Sequence, residues 1–208
     1  VSAINVTAPS ESVELAKIES PPLSLIAAKT MKPSQNMYTE TLLWTLGEET
    51  RKRILVAPNA PMPDSVSLGK AEVKSFLTGI GIPEDGIVQY DGSGLSRHNL
   101  ITPAAVVQLY TYMAKQSKYT QAWRDSLTIG GVDGTLANRF KGTLAEKNMR
   151  GKTGTIDQVS ALSGYITTAG GDQLVVSFVV NGVQLTRNRT SMIDDVVLML
   201  AKFNGKID

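Results

Sequence analysis

Ala161-Leu-Ser-Gly-Tyr-Ile-Thr-Thr-Ala-Gly-Gly-Asp-Gln-Leu-Val-Val-Ser-Phe-Val-Val180 decides the fold class. Ala161–Thr168 alternates between apolar and small or polar residues, the period of a half-buried strand. Leu174–Val180 is apolar except for Ser177, as a central strand covered by helices would be. Gly170-Gly171-Asp172 between them supplies a hairpin turn. Asn148–Thr153 precedes the pair as a third strand. The tail of the chain therefore reads as an antiparallel sheet. A final helix follows Thr190, with Ile193, Val196, Val197 and Leu200 at i, i+3, i+4 and i+7.

Upstream the apolar period becomes helical. Ser20-Pro21-Pro22 opens a helix carrying Leu23, Ile26 and Ala27, and Pro33 breaks it. A second helix starts near Ser34, carries Tyr38, Leu42, Leu43 and Leu46, and has Gly47 as its expected stop. Pro58, Pro61 and Pro63 place a loop over 56–64. A third helix spans Ser67–Leu77, with Val73, Phe76, Leu77 and Ile80 apolar, and ends at Gly79 and Gly81. Val13–Ile18 and Ile87–Tyr90 read as short strands, and Asp91-Gly92-Ser93-Gly94 as a tight turn. Thr102-Pro103 caps a helix with Val106, Leu109, Tyr110 and Met113 on one side. A shorter helix holds Trp123 and Leu127. Trp44 and Trp123 both read as core. Helices first and an antiparallel hairpin later argue an α+β fold rather than a wound parallel sheet.

The composition narrows the chemistry. The 208 residues are 42% hydrophobic and 19% charged, with a net charge of +2, an ordinary globular balance. No basic run exceeds Arg51-Lys52-Arg53, so no nucleic-acid partner is expected. There is no cysteine, which removes thiol and disulfide chemistry. The single histidine, His98, makes a His-based zinc cluster untenable, and no cofactor is expected. A Ser-His-Asp triad would have to use His98, but no Gly-x-Ser-x-Gly elbow accompanies it.

Two short motifs could carry chemistry. Lys152-Thr153-Gly154-Thr155 falls on a strand edge, where the Lys can hold an anion and the two hydroxyls can bind a carboxylate. Gly154 lets a ligand backbone lie close, and a free edge can pair with an extended peptide. Alone, the motif fits an ordinary edge strand with a protective charge better. Ser34-Gln35-Asn36 falls at a helix start, where Ser34 can relay a proton and Asn36 can bind an amide. Alone, it reads first as an ordinary Ser N-cap. Together and in this order they match the second and third elements of the serine penicillin-recognising enzymes, Ser-x-x-Lys, Ser-x-Asn and Lys-Thr-Gly.

Longer runs carry a closer resemblance. They are Ser20-Pro21-Pro22-Leu23-Ser24, Ser34 through Glu40, Asp91-Gly92-Ser93-Gly94-Leu95-Ser96-Arg97 with Asn99, and Thr102-Pro103. They continue with Gly131-Val132-Asp133-Gly134-Thr135-Leu136, Arg139-Phe140, Lys152 through Thr155, and Val159 through Tyr165. Over nearly its whole length the chain resembles the class C low-molecular-mass penicillin-binding proteins, of the D-alanyl-D-alanine carboxypeptidase/endopeptidase type. The resemblance implies a serine β-lactamase/transpeptidase-like fold, with an antiparallel sheet and helices on both faces. It also implies the following roles. Ser34 relays a proton to the leaving amine, and Asn36 contacts the first-motif Lys and the substrate amide. Lys152 stabilises charge near the substrate carboxylate. Thr153 and Thr155 bind that carboxylate, with the Thr155 N–H as half of the oxyanion hole. Arg97 and Asp157 lie near the peptide side chain. The implied substrate is a peptidoglycan stem peptide ending in D-Ala-D-Ala, β-lactam antibiotics are the implied ligands, and the implied location is periplasmic or otherwise extracytoplasmic.

The same resemblance implies that Ser-x-x-Lys lies far upstream of Ser-x-Asn, with accessory domains between. It is therefore expected before Val1, residues 1–208 are expected to be the C-terminal part of the domain, and this part alone is expected to be inactive. A sheet lacking its first strands would leave edge and core exposed, favouring association. The one internal match, Ser67-Leu68-Gly69-Lys70, shares a helix face but falls between the other two motifs, out of order. Two other readings remain open from sequence. One is a catalytically silent module binding peptide ends or cell-wall fragments, and the other a β-lactamase or esterase of the same fold. The Asp91–Arg97 run points to the peptidase branch.

Overall fold

In the computed structural model the described residues are 11, 13, 16–54, 61 and 63–206. Their elements run α1 (Leu23–Met31), α2 (Asn36–Arg53), α3 (Ser65–Gly79), β1 (Ile87–Val88), β2 (Leu100–Ile101), α4 (Pro103–Lys115), α5 (Thr120–Ser126) and β3 (Thr128–Ile129). A single 3-10 turn at Gly134–Leu136 follows, then β4 (Arg150–Ile156), β5 (Val159–Thr167), β6 (Gln173–Asn181) and α6 (Thr186–Lys202). The main sheet has the order β3-β4-β5-β6 and β1 pairs with β2 separately. All pairings are antiparallel, as the α+β reading requires.

Period-two alternation sorts the sheet's side chains to two faces. Leu162 and Ile166 of β5 pack with Ile193 and Val197 of α6, and Leu136, Phe140 and Met149 close that core. Tyr165 and Val175 face the other way, against Val106, Tyr110, Leu127 and Trp123. There the Trp123 indole donates to Tyr165 Oη (2.9 Å), which donates to the Tyr110 carbonyl (2.7 Å). So the polar tips of the aromatic cluster are satisfied where they are buried. Thr102 caps α4 by accepting from the Ala105 N–H at 3.2 Å, as Thr-Pro predicts.

Several sequence expectations change. Gly47 does not stop α2, which continues to Arg53. A Cβ at Gly47 would lie 1.8 Å from the Ser65 carbonyl oxygen, and one at Gly69 would lie 2.3 Å from that of Leu43. The two glycines let α2 and α3 meet backbone to backbone. The last helix begins at Thr186, four residues before Thr190. Trp44 is exposed rather than core, and Leu127 follows α5 instead of lying in it. Val13 and 16–18 are not strand, while residues 14 and 15 lie outside the described set, as do residues 56–60 and 62 of the expected loop. β6 is flanked by α4 and α6 but pairs with β5 only. It is thus an edge strand, and among the described residues nothing pairs with its outer side.

The outer side of α6 is also apolar. Met192, Val196 and Met199, with Phe203 just beyond, form an exposed stripe at helical spacing. The isolated chain is expected to associate with rising concentration in sedimentation velocity. Met199→Lys, at a position 70% exposed, is expected to weaken that association. If the variant sediments as the parent does, the α6 face is not the contact.

Candidate active site

The site is built where the α1–α2 turn meets β4. α1 ends at Met31, and in the turn beyond it the Gln35 N–H returns to the Thr30 carbonyl at 2.9 Å, the long bond of a Schellman turn. Ser34 is the left-handed residue of that turn, with φ +61°. It is therefore the terminator of α1 rather than the N-cap of α2. Gln35 occupies the N-cap position and makes no side-chain cap bond. A serine held left-handed costs about 1–2 kcal/mol, the kind of local strain that persists at functional positions. Glycine would relieve it, offset by its own entropy and the lost hydroxyl contact. Ser34→Gly is thus expected to melt within a few degrees of the parent, whereas β-branched Ser34→Val melts clearly lower. Thermal unfolding of the two variants checks this.

The strand alternation places Lys152 and Gly154 on one face of β4 and Thr153 and Thr155 on the other. Lys152 Nζ donates to Ser34 Oγ at 2.7 Å and to the Thr153 carbonyl at 2.7 Å. Both partners are neutral, and burial lowers the Lys152 pKa below its ordinary value, because the charged form is desolvated. A second anchor lies beside it. Lys32 donates to Asp133 and to the Leu127 carbonyl (3.0 Å), Asp133 accepts from the Ile129 N–H (2.8 Å), and the Thr135 N–H donates to the Lys32 carbonyl (3.1 Å). This fixes the 128–136 segment under the Ser34 turn. Thr135 Oγ1 then accepts from Thr153 Oγ1 at 2.7 Å.

β3 pairs with β4 only at Arg150 and Gly151, so among the described residues the same edge is free from Lys152 to Ile156. A Cβ at Gly154 would touch only the Ala161 Cβ, at 3.8 Å. Packing therefore does not require a glycine there, whereas close approach of a ligand backbone would. Arg97 and Asp157 do come together, at 3.5 Å, across from the strand. Their side chains are 63% and 76% exposed, so the pair contributes no more than about 1 kcal/mol and remains open to exchange. Asn36 begins α2, one residue beyond the turn.

The structure thus unites Ser34 with Lys152. Asn36 follows two residues after Ser34 at the start of α2, and Thr153, Gly154 and Thr155 follow Lys152 along β4, with Thr153 and Thr155 on its other face. Lys32, Asp133 and Thr135 are additions. Asp133-Gly134-Thr135 has turn chemistry, but no local signal says which distant turn it docks on. The out-of-order Ser67 is engaged structurally: its N–H and Oγ both donate to the Asp64 carboxylate, at 2.9 and 2.8 Å. Lys70 lies over the Tyr90 ring, and His98 packs beside the same ring. Among the described residues no group of His, Asp or Glu could hold a metal ion, and no helix is long and apolar enough to cross a membrane.

Residues 2–203 match the profile of the D-Ala-D-Ala carboxypeptidase 3 (S13) family. The chain is 41% identical over 173 residues to a D-alanyl-D-alanine carboxypeptidase of an Actinomadura species, covering 81% of this chain and 30% of that protein. It is 34% identical over 177 residues to a D-alanyl-D-alanine carboxypeptidase of Haemophilus influenzae, covering 84% and 35%. The crystal structure of penicillin binding protein 4 from Haemophilus influenzae, complexed with a β-lactam, superposes with a TM-score of 0.73 at 30% identity, over 88% of this chain and 42% of that one. A predatory endopeptidase of Bdellovibrio bacteriovorus, at 21% identity and a TM-score of 0.66, shares the fold. The chain spans about a third of the length of the curated relatives it matches. By sequence profile, by identity and by fold, the chain belongs to the D-Ala-D-Ala carboxypeptidase 3 (S13) family.

Proposed function

We propose that this chain forms the carboxylate-binding and proton-relay half of a serine-type D-Ala-D-Ala carboxypeptidase acting on peptidoglycan stem peptides outside the cytoplasmic membrane. The observation that carries the reading is the 2.7 Å contact between Lys152 Nζ and Ser34 Oγ, set beside a free strand edge. The nucleophile belongs to a Ser-x-x-Lys segment upstream of these residues, and residues 1–208 form the C-terminal part of its domain. An extended peptide lies along the open edge of β4 and over Gly154. Its terminal carboxylate meets the Thr153 and Thr155 hydroxyls and the Lys152 charge.

The chemistry then divides between the two parts. The upstream serine passes its proton to the Lys of its own Ser-x-x-Lys, which returns it through Ser34 to the leaving amine. The serine oxygen attacks the carbonyl carbon of the penultimate D-Ala, and the developing oxyanion is held by two N–H groups, one of them that of Thr155. The C–N bond breaks, and the departing D-Ala amine takes a proton through Ser34, whose hydroxyl is already oriented by Lys152. Asn36 holds the substrate amide. Water then attacks the acyl-enzyme, releasing the shortened peptide and the serine. A β-lactam follows the same first step, its ring amide in place of the peptide bond.

Intact-mass measurement after incubation with a labelled penicillin tests this. The chain alone is expected to form no adduct. Joined to an upstream segment carrying Ser-x-x-Lys, it is expected to form one, on that segment's serine. An adduct on Ser34 or Ser67 would overturn the assignment.

A further inference from the structure

Glu40 stands on the same face of α2 as Asn36, one turn further along, and its carboxylate is spent on another segment. Its two oxygens accept from the backbone N–H groups of Gly92 (3.2 Å) and Ser93 (3.0 Å). Contact there is close: a Cβ at Gly92 would lie 2.7 Å from the Thr39 carbonyl oxygen. The segment so held is internally fixed. The Asp91 carboxylate accepts from the N–H groups of Gly94 and Ser96, both at 2.7 Å, and from Asn99 Nδ2 at 2.9 Å. Asn99 in turn accepts from the Tyr90 N–H at 2.7 Å and donates to the Ser96 carbonyl at 2.9 Å. Burial pushes the Asp91 carboxyl up, but these bonds together outweigh it and hold its pKa below the ordinary value, and they make 91–99 a small rigid body. Arg97 projects from it toward Asp157, on the turn that follows β4. The loop therefore spans from the Ser34–Asn36 side of the site to the β4 side, and Glu40 fixes its near end.

We infer that Glu40 is a positioning residue, which sets where the Arg97 loop stands over the site and thereby which substrate side chains bind. This rests on the function proposed above. Its chemistry is specific to a carboxylate. Two adjacent N–H donors need two acceptor oxygens, and Glu40→Gln offers one oxygen and one competing donor. The loop keeps its internal bonds in that variant but loses its register on α2. Substrate binding suffers, while the acylating groups, which lie elsewhere, are untouched.

The test uses the protein carrying its nucleophile, after the labelled-penicillin adduct has been observed in the parent. Failure at that first step would count against the proposed function alone. Glu40→Gln is expected to raise KM for a D-Ala-D-Ala peptide with a long polar side chain about tenfold. Both kcat and the stoichiometry of the penicillin adduct should stay within about twofold. Arg97→Ala is expected to raise KM similarly, and the double variant to add little more, because both act through one loop. The inference is overturned by an unchanged KM in Glu40→Gln. A loss of adduct stoichiometry with KM unchanged, the mark of a merely structural residue, overturns it too, as do fully additive effects of the two substitutions.

Discussion

Lys152→Met is expected to lower kcat/KM for a D-Ala-D-Ala peptide by about a hundred- to a thousandfold in the protein carrying its nucleophile, the range for removing a fixed charge-stabilising donor. The same substitution is expected to stabilise the fold near neutral pH. Lys152 is a partly buried cation held only by neutral oxygens, the Ser34 hydroxyl and the Thr153 carbonyl, and burial is what lowers its pKa. A lysine whose folded pKa lies below its unfolded value binds fewer protons folded than unfolded in the interval between them. There the unfolded state holds more protons, so stability rises with pH. Below that interval the charged form carries its full desolvation cost at every pH. Methionine removes the cost, so the variant should melt higher at pH 7 and lack the parent's gain in stability as pH rises toward 10.5, the unperturbed value. Paired activity and thermal-melt pH series on the two proteins would show this. A variant both inactive and less stable at pH 7 would mean that the site's charge is compensated after all.

Gly164→Ala is expected to destabilise the fold strongly. Gly164 pairs with Gly151 across β4 and β5, and a Cβ there would lie 2.1 Å from the Arg150 carbonyl oxygen and 2.7 Å from the Gly151 Cα. The adjacent β4 backbone cannot yield, and the only flexible neighbour is the Met149 methyl, at 2.8 Å. The strands must separate, at about 3 kcal/mol or more. Gly154→Ala, three residues along β4 and facing open space, should change stability by less than about 0.5 kcal/mol while lowering peptide turnover. Denaturant titrations of both variants, read beside activity, separate the glycine that packing needs from the one the ligand needs. If Gly154→Ala destabilises as much as Gly164→Ala, that separation fails.

Local pattern in the sequence carried the sheet and most helices, because each depends on neighbours a few residues away. β4, β5 and β6 lie within three residues of their expected ends, and Thr102-Pro103 caps α4 as written. What the pattern missed depends on partners remote in the chain. Gly47 looks like a helix stop until α3 is laid against it, and Ser34 looks like an N-cap until the bond from Gln35 to Thr30 shows it ending the previous helix. The two-residue strands β2 and β3 are too short to have a period. Among site residues, Ser34 and Lys152 were legible as motifs and come into contact. Arg97 and Asp157 were legible only through family resemblance. Lys32, Asp133 and Thr135 carry no chemistry-bearing spacing, and Glu40 reads as one more charge on an exposed helix face.

The Lys152–Ser34 contact joins residues 118 apart in sequence. Its two ends belong to structures that can form independently, a helix pair near one end of the chain and a hairpin near the other. Contacts that close so long a loop form late, after local structure has supplied the stability to offset the lost chain entropy. Ligand affinity should therefore return last on refolding, after helical signal and core fluorescence have recovered. The proposed carboxylate binding would then report complete folding, and a polypeptide cut anywhere between the two motifs would keep the Lys152–Ser34 contact only as long as the two pieces stay together.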